Sequence, residues 1–238
     1  MRTSRRSAIR KLAMGAGLAF AGGALSACAS GLPSGQPGGG SAAKDPLDLL
    51  KEGNARFSSG RMQHPNQDAN RLKEVSLSQD PIATVFCCID SRITPTIVFD
   101  RGLGDLFEVR TGGQDYDSLI EGSVEYGPAT SKTPLIVVMG HQRCGAVTAA
   151  VNSLEDRKSL AANLDKIVMS ISPAYGDAKA ANPHAHRQDL IEATTRRQIQ
   201  LTVTALHADP LLGKNVGAGT LKIVGSYISL DSGIVEWL

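Results

Sequence analysis

Two cysteines, a histidine and an aspartate stand at spacings that could bind and use a metal ion. Asp90 comes two residues after Cys88, and His141 comes three residues before Cys144. Two thiolates and one imidazole make a tetrahedral zinc site with one open position, which is typical of catalytic zinc. Asp90 could fill that position or guard it. Each residue alone is compatible with an ordinary buried side chain, but their joint occurrence favours a metal site.

Short apolar runs precede both groups and indicate the strands that must position them. Cys88 ends the run at 81–88, and His141 follows the run at 133–140. Further runs lie at 105–110 and 219–226, and all four are typical of parallel strands buried on both faces. Helix-sized segments separate them. The pattern predicts an α/β domain with a mostly parallel central sheet flanked by helices, whose sites gather at the carboxyl ends of the strands.

Helix and turn signals complete the expected element order. Asp45 and Pro46 predict the start of a first helix, which should end at Gly60. Further helices are predicted at 118–126, 144–154, 159–170 and 187–207. A turn signal at 231–233 between two apolar runs predicts a closing hairpin at the sheet edge.

The two motifs resemble those of the β-class carbonic anhydrases. CIDSR, residues 88–92, is similar to the family's Cys-x-Asp-Ser-Arg, and GHQRCGAV, residues 140–147, to its Gly-His-x-x-Cys-Gly-Ala. The likeness spans most of residues 45–238 and includes residues 99–114. There Gly113 and Gln114 replace a more usual Gly-Asn ending, a departure that concerns local turn contacts and not the metal.

This resemblance implies a role for each matching residue. The zinc ligands would be Cys88, His141 and Cys144, and the catalytic pair Asp90 and Arg92. The substrate pocket would include Gln79, Phe107 and Tyr126, with the two aromatic residues acting across a dimer interface. In the family the aspartate either pairs with the arginine or moves onto zinc and blocks it. Plain core packing is the alternative for the two aromatic residues.

The implied activity is zinc-dependent carbonate dehydration, the reversible hydration of carbon dioxide to bicarbonate and a proton by zinc-bound hydroxide. The resemblance also implies a homodimer or a higher homo-oligomer. Three alternatives remain open: hydrolysis of carbon disulfide or carbonyl sulfide at the same site, a non-catalytic zinc-binding bicarbonate sensor, and a redox pair of Cys87 with Cys88. Because side chains alternate along a strand, Cys87 is expected to face the packing and not the metal.

The N-terminal residues predict export. Residues 1–28 hold five basic residues and no acidic one, with Arg5-Arg6 resembling a twin-arginine signal, although Ala8 stands where a bulky apolar residue is more usual. LSAC, residues 25–28, resembles a lipobox that would acylate Cys28, the alternative being cleavage after Ala29. Residues 29–44 are rich in Gly, Ser and Pro and predict a flexible linker to a catalytic domain at 45–238.

Charge limits the partners of the mature chain. Without residues 1–28, 20 basic and 23 acidic residues remain, and no basic run interleaves with aromatic residues. Nucleic acid is therefore not an expected partner. We expect the protein to be exported, lipid-anchored at the outer face of a bacterial cell membrane or periplasmic, with the anchor as its sole membrane contact.

Overall fold

A five-stranded sheet forms the centre of the computed structural model, which describes residues 44–238. The strands lie in the order β2, β1, β3, β4, β5; the first four are parallel, and β5 is antiparallel to β4. Their bounds are Ala83–Cys88 (β1), Leu106–Thr111 (β2), Leu135–His141 (β3), Lys222–Ile228 (β4) and Val235–Trp237 (β5). The predicted fold class and the closing hairpin are confirmed.

Helices cover both faces of this sheet. They are Pro46–Ser58 (α1), Ala69–Glu74 (α2), Pro95–Val98 (α3), Ser118–Tyr126 (α4), Gly145–Asp156 (α5), Leu164–Ala181 (α6), Arg187–Ala208 (α7) and Pro210–Gly217 (α8). Within residues 44–238, none of them is long and apolar enough to cross a membrane.

Alternation along the central strands builds two apolar cores. Every residue of β1 and β3 is buried, because helices pack on both faces of a parallel sheet. Val85 and Val137 pack in one core with residues of α1, α5 and α6. Phe86 and Val138 pack in the other with residues of α4, α7 and α8. The outermost strand β2 is only partly buried.

The structure confirms one helix prediction and corrects another. Asp45 caps α1 as predicted, since its Oδ1 accepts a hydrogen bond from the backbone N–H of Leu47 at 2.7 Å. The helix predicted at 159–170 is wrong in both bounds, because α6 starts at Leu164 and continues through Pro173 to Ala181. Proline removes one backbone hydrogen bond, but the buried residues of α6 on both sides of it favour continuation.

Candidate metal centre

Adjacent parallel strands bring the predicted ligands together. Cys88 is the last residue of β1 and His141 the last residue of the neighbouring β3, so both lie at the carboxyl edge of the sheet. Cys144 is the N-cap of α5, three residues after His141. One donor atom from each side chain lies within 4.8 Å of the others, and the two sulfur atoms are 3.8 Å apart. All three side chains are buried.

The unpaired nitrogen of His141 tests whether a metal fits. Nδ1 lies 3.1 Å from the backbone carbonyl of Gln142, a contact that fixes the ring when Nδ1 carries the proton. Nε2 is fully buried and has no hydrogen-bond partner, which is unfavourable for a polar atom. A cation among Nε2 and the two sulfur atoms would remove that penalty. The donor set of one imidazole and two thiols suits zinc.

A hydrogen bond between the two thiols shifts their pKa values in opposite directions. Cys144 donates a hydrogen bond to the sulfur of Cys88 and lowers the Cys88 pKa, with the backbone N–H of Gly113 assisting. The same hydrogen bond, together with burial, raises the pKa of Cys144. A divalent cation would supply the positive charge that allows both groups to be thiolates.

Cys87 differs from its neighbour Cys88, as predicted. Its side chain is fully buried in the core that contains Val85, and burial raises its pKa to about 12. A thiol that stays protonated is a poor nucleophile, which speaks against a redox pair. In the structure Cys87, Cys88 and Cys144 are all free.

Asp90 and Arg92 form the expected pair beside the ligands. Arg92 donates from Nε to Asp90 Oδ1 at 2.8 Å and from Nη2 to Asp90 Oδ2 at 2.7 Å. These contacts hold the pKa of Asp90 well below its usual range, so the carboxylate is ionised. Its Oδ2 lies 3.9 Å from Nε2 of His141, and Asp90 therefore stands next to the candidate metal centre.

Two further groups hold the chain segment from Cys88 to Asp90 in place, and the sequence did not predict them. The guanidinium of Arg110 on β2 donates two hydrogen bonds of 3.0 Å to the carbonyl of Cys88 and another to the carbonyl of Asp90. The N–H of Gly113 donates to the sulfur of Cys88 at 3.3 Å. Their partners are backbone and sulfur atoms that folding brings close together, so no residue pattern in the sequence predicts these contacts.

A mainly apolar cavity of about 290 Å³ opens beside Cys88 and Asp90. Small residues at the start of α5 and aliphatic residues just before and in the first turn of α6 form most of its wall. The lining residues are Cys88, Ile89, Asp90, Gly112, Gly145, Ala146, Ala149, Leu160, Leu164 and Ile167. Such a wall suits a small uncharged substrate better than an ion.

The three predicted substrate residues lie at the other end of the sheet. Gln79 is exposed ahead of β1, and the ends of that strand are roughly 16 Å apart. Phe107 pairs in register with Thr84 near the amino end of β1. Its ring contacts that of Tyr126 edge-on, with centroids 5.7 Å apart, and Tyr126 is 55% exposed. Within one chain, these three residues therefore do not lie beside the metal centre.

The chain is similar to known proteins in both sequence and fold. A family model described as carbonic anhydrase matches residues 83–235. A carbonic anhydrase of Mycolicibacterium smegmatis is 39% identical over 191 residues, covering 79% of this chain and 89% of that protein. Carbonic anhydrase 2 of Mycobacterium tuberculosis is 38% identical over 185 residues, covering 77% and 87%. A tetrameric β-carbonic anhydrase from Sordaria macrospora has a similar fold, with a TM-score of 0.64, 19% identity and coverage of 81% and 95%.

Proposed function

Because this chain belongs to the β-class carbonic anhydrase family, we propose that it catalyses the reversible hydration of carbon dioxide to bicarbonate and a proton. The observation that carries the proposal is the convergence of Cys88, His141 and Cys144 beside an ionised Asp90. These three residues would hold zinc and leave one tetrahedral position open. A site built only for structure would close that position with another strong ligand.

Zinc, when bound, supplies a Lewis acid that makes a water molecule acidic enough to attack near neutral pH, as it does in the three-histidine carbonic anhydrases. Two thiolates donate more negative charge than imidazoles do, which weakens that acidification. The chain's own residues do the rest. Asp90 would accept a hydrogen bond from the attacking water molecule and orient it, and Arg92 holds Asp90 ionised through two hydrogen bonds. The apolar cavity admits uncharged carbon dioxide.

Stopped-flow measurement of carbon dioxide hydration, with zinc analysis of the same sample, tests this proposal. We expect about one zinc per chain and hydration activity that disappears when a chelator removes the metal. Carbon disulfide and carbonyl sulfide are assayed in parallel by sulfide release. Full zinc without hydration between about pH 6 and 9 would instead favour a bicarbonate sensor, and sulfide release without hydration would favour a hydrolase.

We propose that a second copy of the chain completes the substrate pocket. Gln79 and Tyr126 are exposed, and Phe107 is half-buried on the outermost strand β2, so all three are accessible to a partner. Tetramers of the Sordaria macrospora relatives are consistent with homo-oligomers here. A two-fold dimer would place this group of one subunit over the metal centre of the other. Sedimentation velocity should find no monomer at micromolar concentration.

Export and lipid anchoring are proposed from the N-terminal residues alone, and of these residues 1–43 lie outside the described part of the chain. Residues 1–28 would act as the signal, Cys28 would carry the lipid, and residues 29–44 would tether the catalytic domain outside the cell membrane. Labelling with radioactive palmitate should mark the parent chain and not a Cys28→Ala variant. Changing both Arg5 and Arg6 to lysine should block export of active enzyme, and undiminished export would exclude the twin-arginine route.

A further inference from the structure

Asp231, in the turn between β4 and β5, lies outside the residues assigned above and contacts the loop that carries two metal ligands. We infer that Asp231 is a positioning residue for the catalytic pair Asp90 and Arg92, acting through Arg143. Its side chain accepts hydrogen bonds from Gln142 and Arg143, not from Arg92, so the role depends on a chain of contacts. The inference rests on the proposed metal site, and its activity measurement also rests on the proposed function.

The first contact in that chain orients Arg92. The guanidinium is half-exposed, and both of its bonds to Asp90 remain within one short loop. A further bond, from Nη2 to the carbonyl oxygen of Arg143 at 3.3 Å, ties Arg92 to the loop between His141 and Cys144. The direction of the Arg143 carbonyl therefore helps to fix where Arg92, and with it Asp90, is held.

The second contact explains why that carbonyl points as it does. Arg143 has a φ of 53°, the left-handed conformation that is unfavourable for a residue with a side chain. Such a conformation persists only where neighbouring contacts impose it. Asp231 accepts two hydrogen bonds from the Arg143 guanidinium, at 2.7 Å and 3.1 Å. This bidentate ion pair fixes the side chain of the strained residue.

Gln142 fastens the same loop to the hairpin. Its side-chain carbonyl accepts from the N–H of Leu230 at 2.9 Å and of Asp231 at 3.3 Å. Its amide donates to Asp231 Oδ2 at 2.8 Å, and its backbone N–H donates to the carbonyl of Ile228 at 3.0 Å. Both residues between the ligands His141 and Cys144 are thus held by the β4–β5 turn, with Asp231 contacting each of them.

The ion pair is too exposed to contribute much to folding. The side chains of Arg143 and Asp231 are 47% and 65% exposed, and pairs of this kind stabilise proteins weakly. Loss of Asp231 should therefore leave the fold intact and act locally. It would relax Arg143, weaken the hold on Arg92 and free Asp90, already 3.9 Å from His141, to move toward the open metal position.

The test compares Asp231→Asn with Asp156→Asn, which removes a similarly exposed pair, Asp156 with Arg187 at 2.7 Å. We expect Asp231→Asn to lower kcat/KM about 10-fold, Asp231→Glu to restore part of it, and Asp156→Asn to leave it unchanged. Both asparagine variants should melt within about 3 °C of the parent. Arg143→Gln should match Asp231→Asn, and the double variant should be no worse than either.

A second measurement does not depend on catalysis. Azide binds a metal ion at an open position, and its affinity for the cobalt-substituted protein should fall about 10-fold in Asp231→Asn. Additive losses in the double variant, or kcat/KM and azide affinity equal to those of Asp156→Asn, would overturn the inference. If the parent hydrates no carbon dioxide, the proposed function fails, while a weaker azide affinity in Asp231→Asn still supports the positioning role.

Discussion

The two ends of the central sheet carry two groups of predicted functional residues, and only one group is complete within a chain. At the carboxyl end, Cys88, His141 and Cys144 are buried and within 4.8 Å of one another. At the amino end, Gln79 and Tyr126 are exposed. Metal chemistry needs donors fixed by a rigid core, whereas substrate contacts can come from a partner. The difference agrees with our proposal that each chain holds its own metal and that a partner chain completes the substrate pocket.

The largest expected effect comes from removing a ligand at the carboxyl end. Cys144→Ser should reduce zinc from about one per chain to below about 0.1, because two strong ligands hold zinc poorly. Hydration activity should fall at least about 100-fold. Metal analysis of the purified protein checks the first result and stopped-flow kinetics the second.

Cys87→Ala is the matched control for the ligand variant. It removes a fully buried thiol that stays protonated, so zinc content should not change and stability should fall by about 1 kcal/mol. Full zinc in Cys144→Ser, or zinc lost equally from both variants, would contradict the division between the two cysteines.

The next effect concerns the pair that stands beside the ligands. Arg92→Lys should keep zinc and lower kcat about 30-fold, because an ammonium group cannot reproduce both guanidinium contacts to Asp90. Steady-state kinetics with zinc analysis measures this. Arg187→Lys changes an exposed arginine that pairs with Asp156 and should leave kcat unaltered. Unchanged kcat in Arg92→Lys would remove this pair from the mechanism.

A smaller effect tests whether the amino-end group acts on a partner. Tyr126→Ala should retain zinc and lose about 10-fold in kcat/KM. Mixing this variant with Cys144→Ser under subunit exchange should restore about a quarter of the parent activity, since half of the dimers would carry one intact site. No recovery despite hybrid dimers detected by mass spectrometry would place Tyr126 in its own subunit's packing.

The smallest effect on activity is expected at Asp100, a buried residue that precedes β2. The carboxylate accepts from the N–H groups of Gln63 and His64 and from Arg56. Burial opposes its charge, but these bonds prevail and lower its pKa. The stabilisation is therefore complete above the usual carboxyl pKa and is lost as pH falls through the lower folded value.

Asp100→Asn should accordingly destabilise the protein by about 3 kcal/mol at pH 7 while leaving kcat of the folded fraction unchanged. Urea unfolding measured from pH 7 downward should show the difference shrinking toward zero in acid. A difference that stays constant with pH would mean that the side-chain shape, and not its charge, matters there.

The sequence alone predicted the strands, the fold class and the three residues that converge at the carboxyl edge of the sheet. Short uninterrupted apolar runs are typical of strands in a sheet covered on both faces, and parallel strands end at the same edge. Cys88 and His141 each close such a run, so their meeting followed from local pattern. The alternation of side chains along a strand likewise predicted that Cys87, one residue earlier, is a packing residue.

Only the tertiary structure decided which distant groups hold those ligands in place. Arg110 and Gly113 act through a backbone carbonyl and a sulfur atom, and Asp231 reaches the metal loop from a hairpin about ninety residues later in the chain. Their role is set by distances of about 3 Å between atoms remote in sequence, and short-range patterns carry no such information. For the same reason, the predicted helix at 159–170 was misplaced: packing against neighbours, and not local propensity, carried α6 through Pro173.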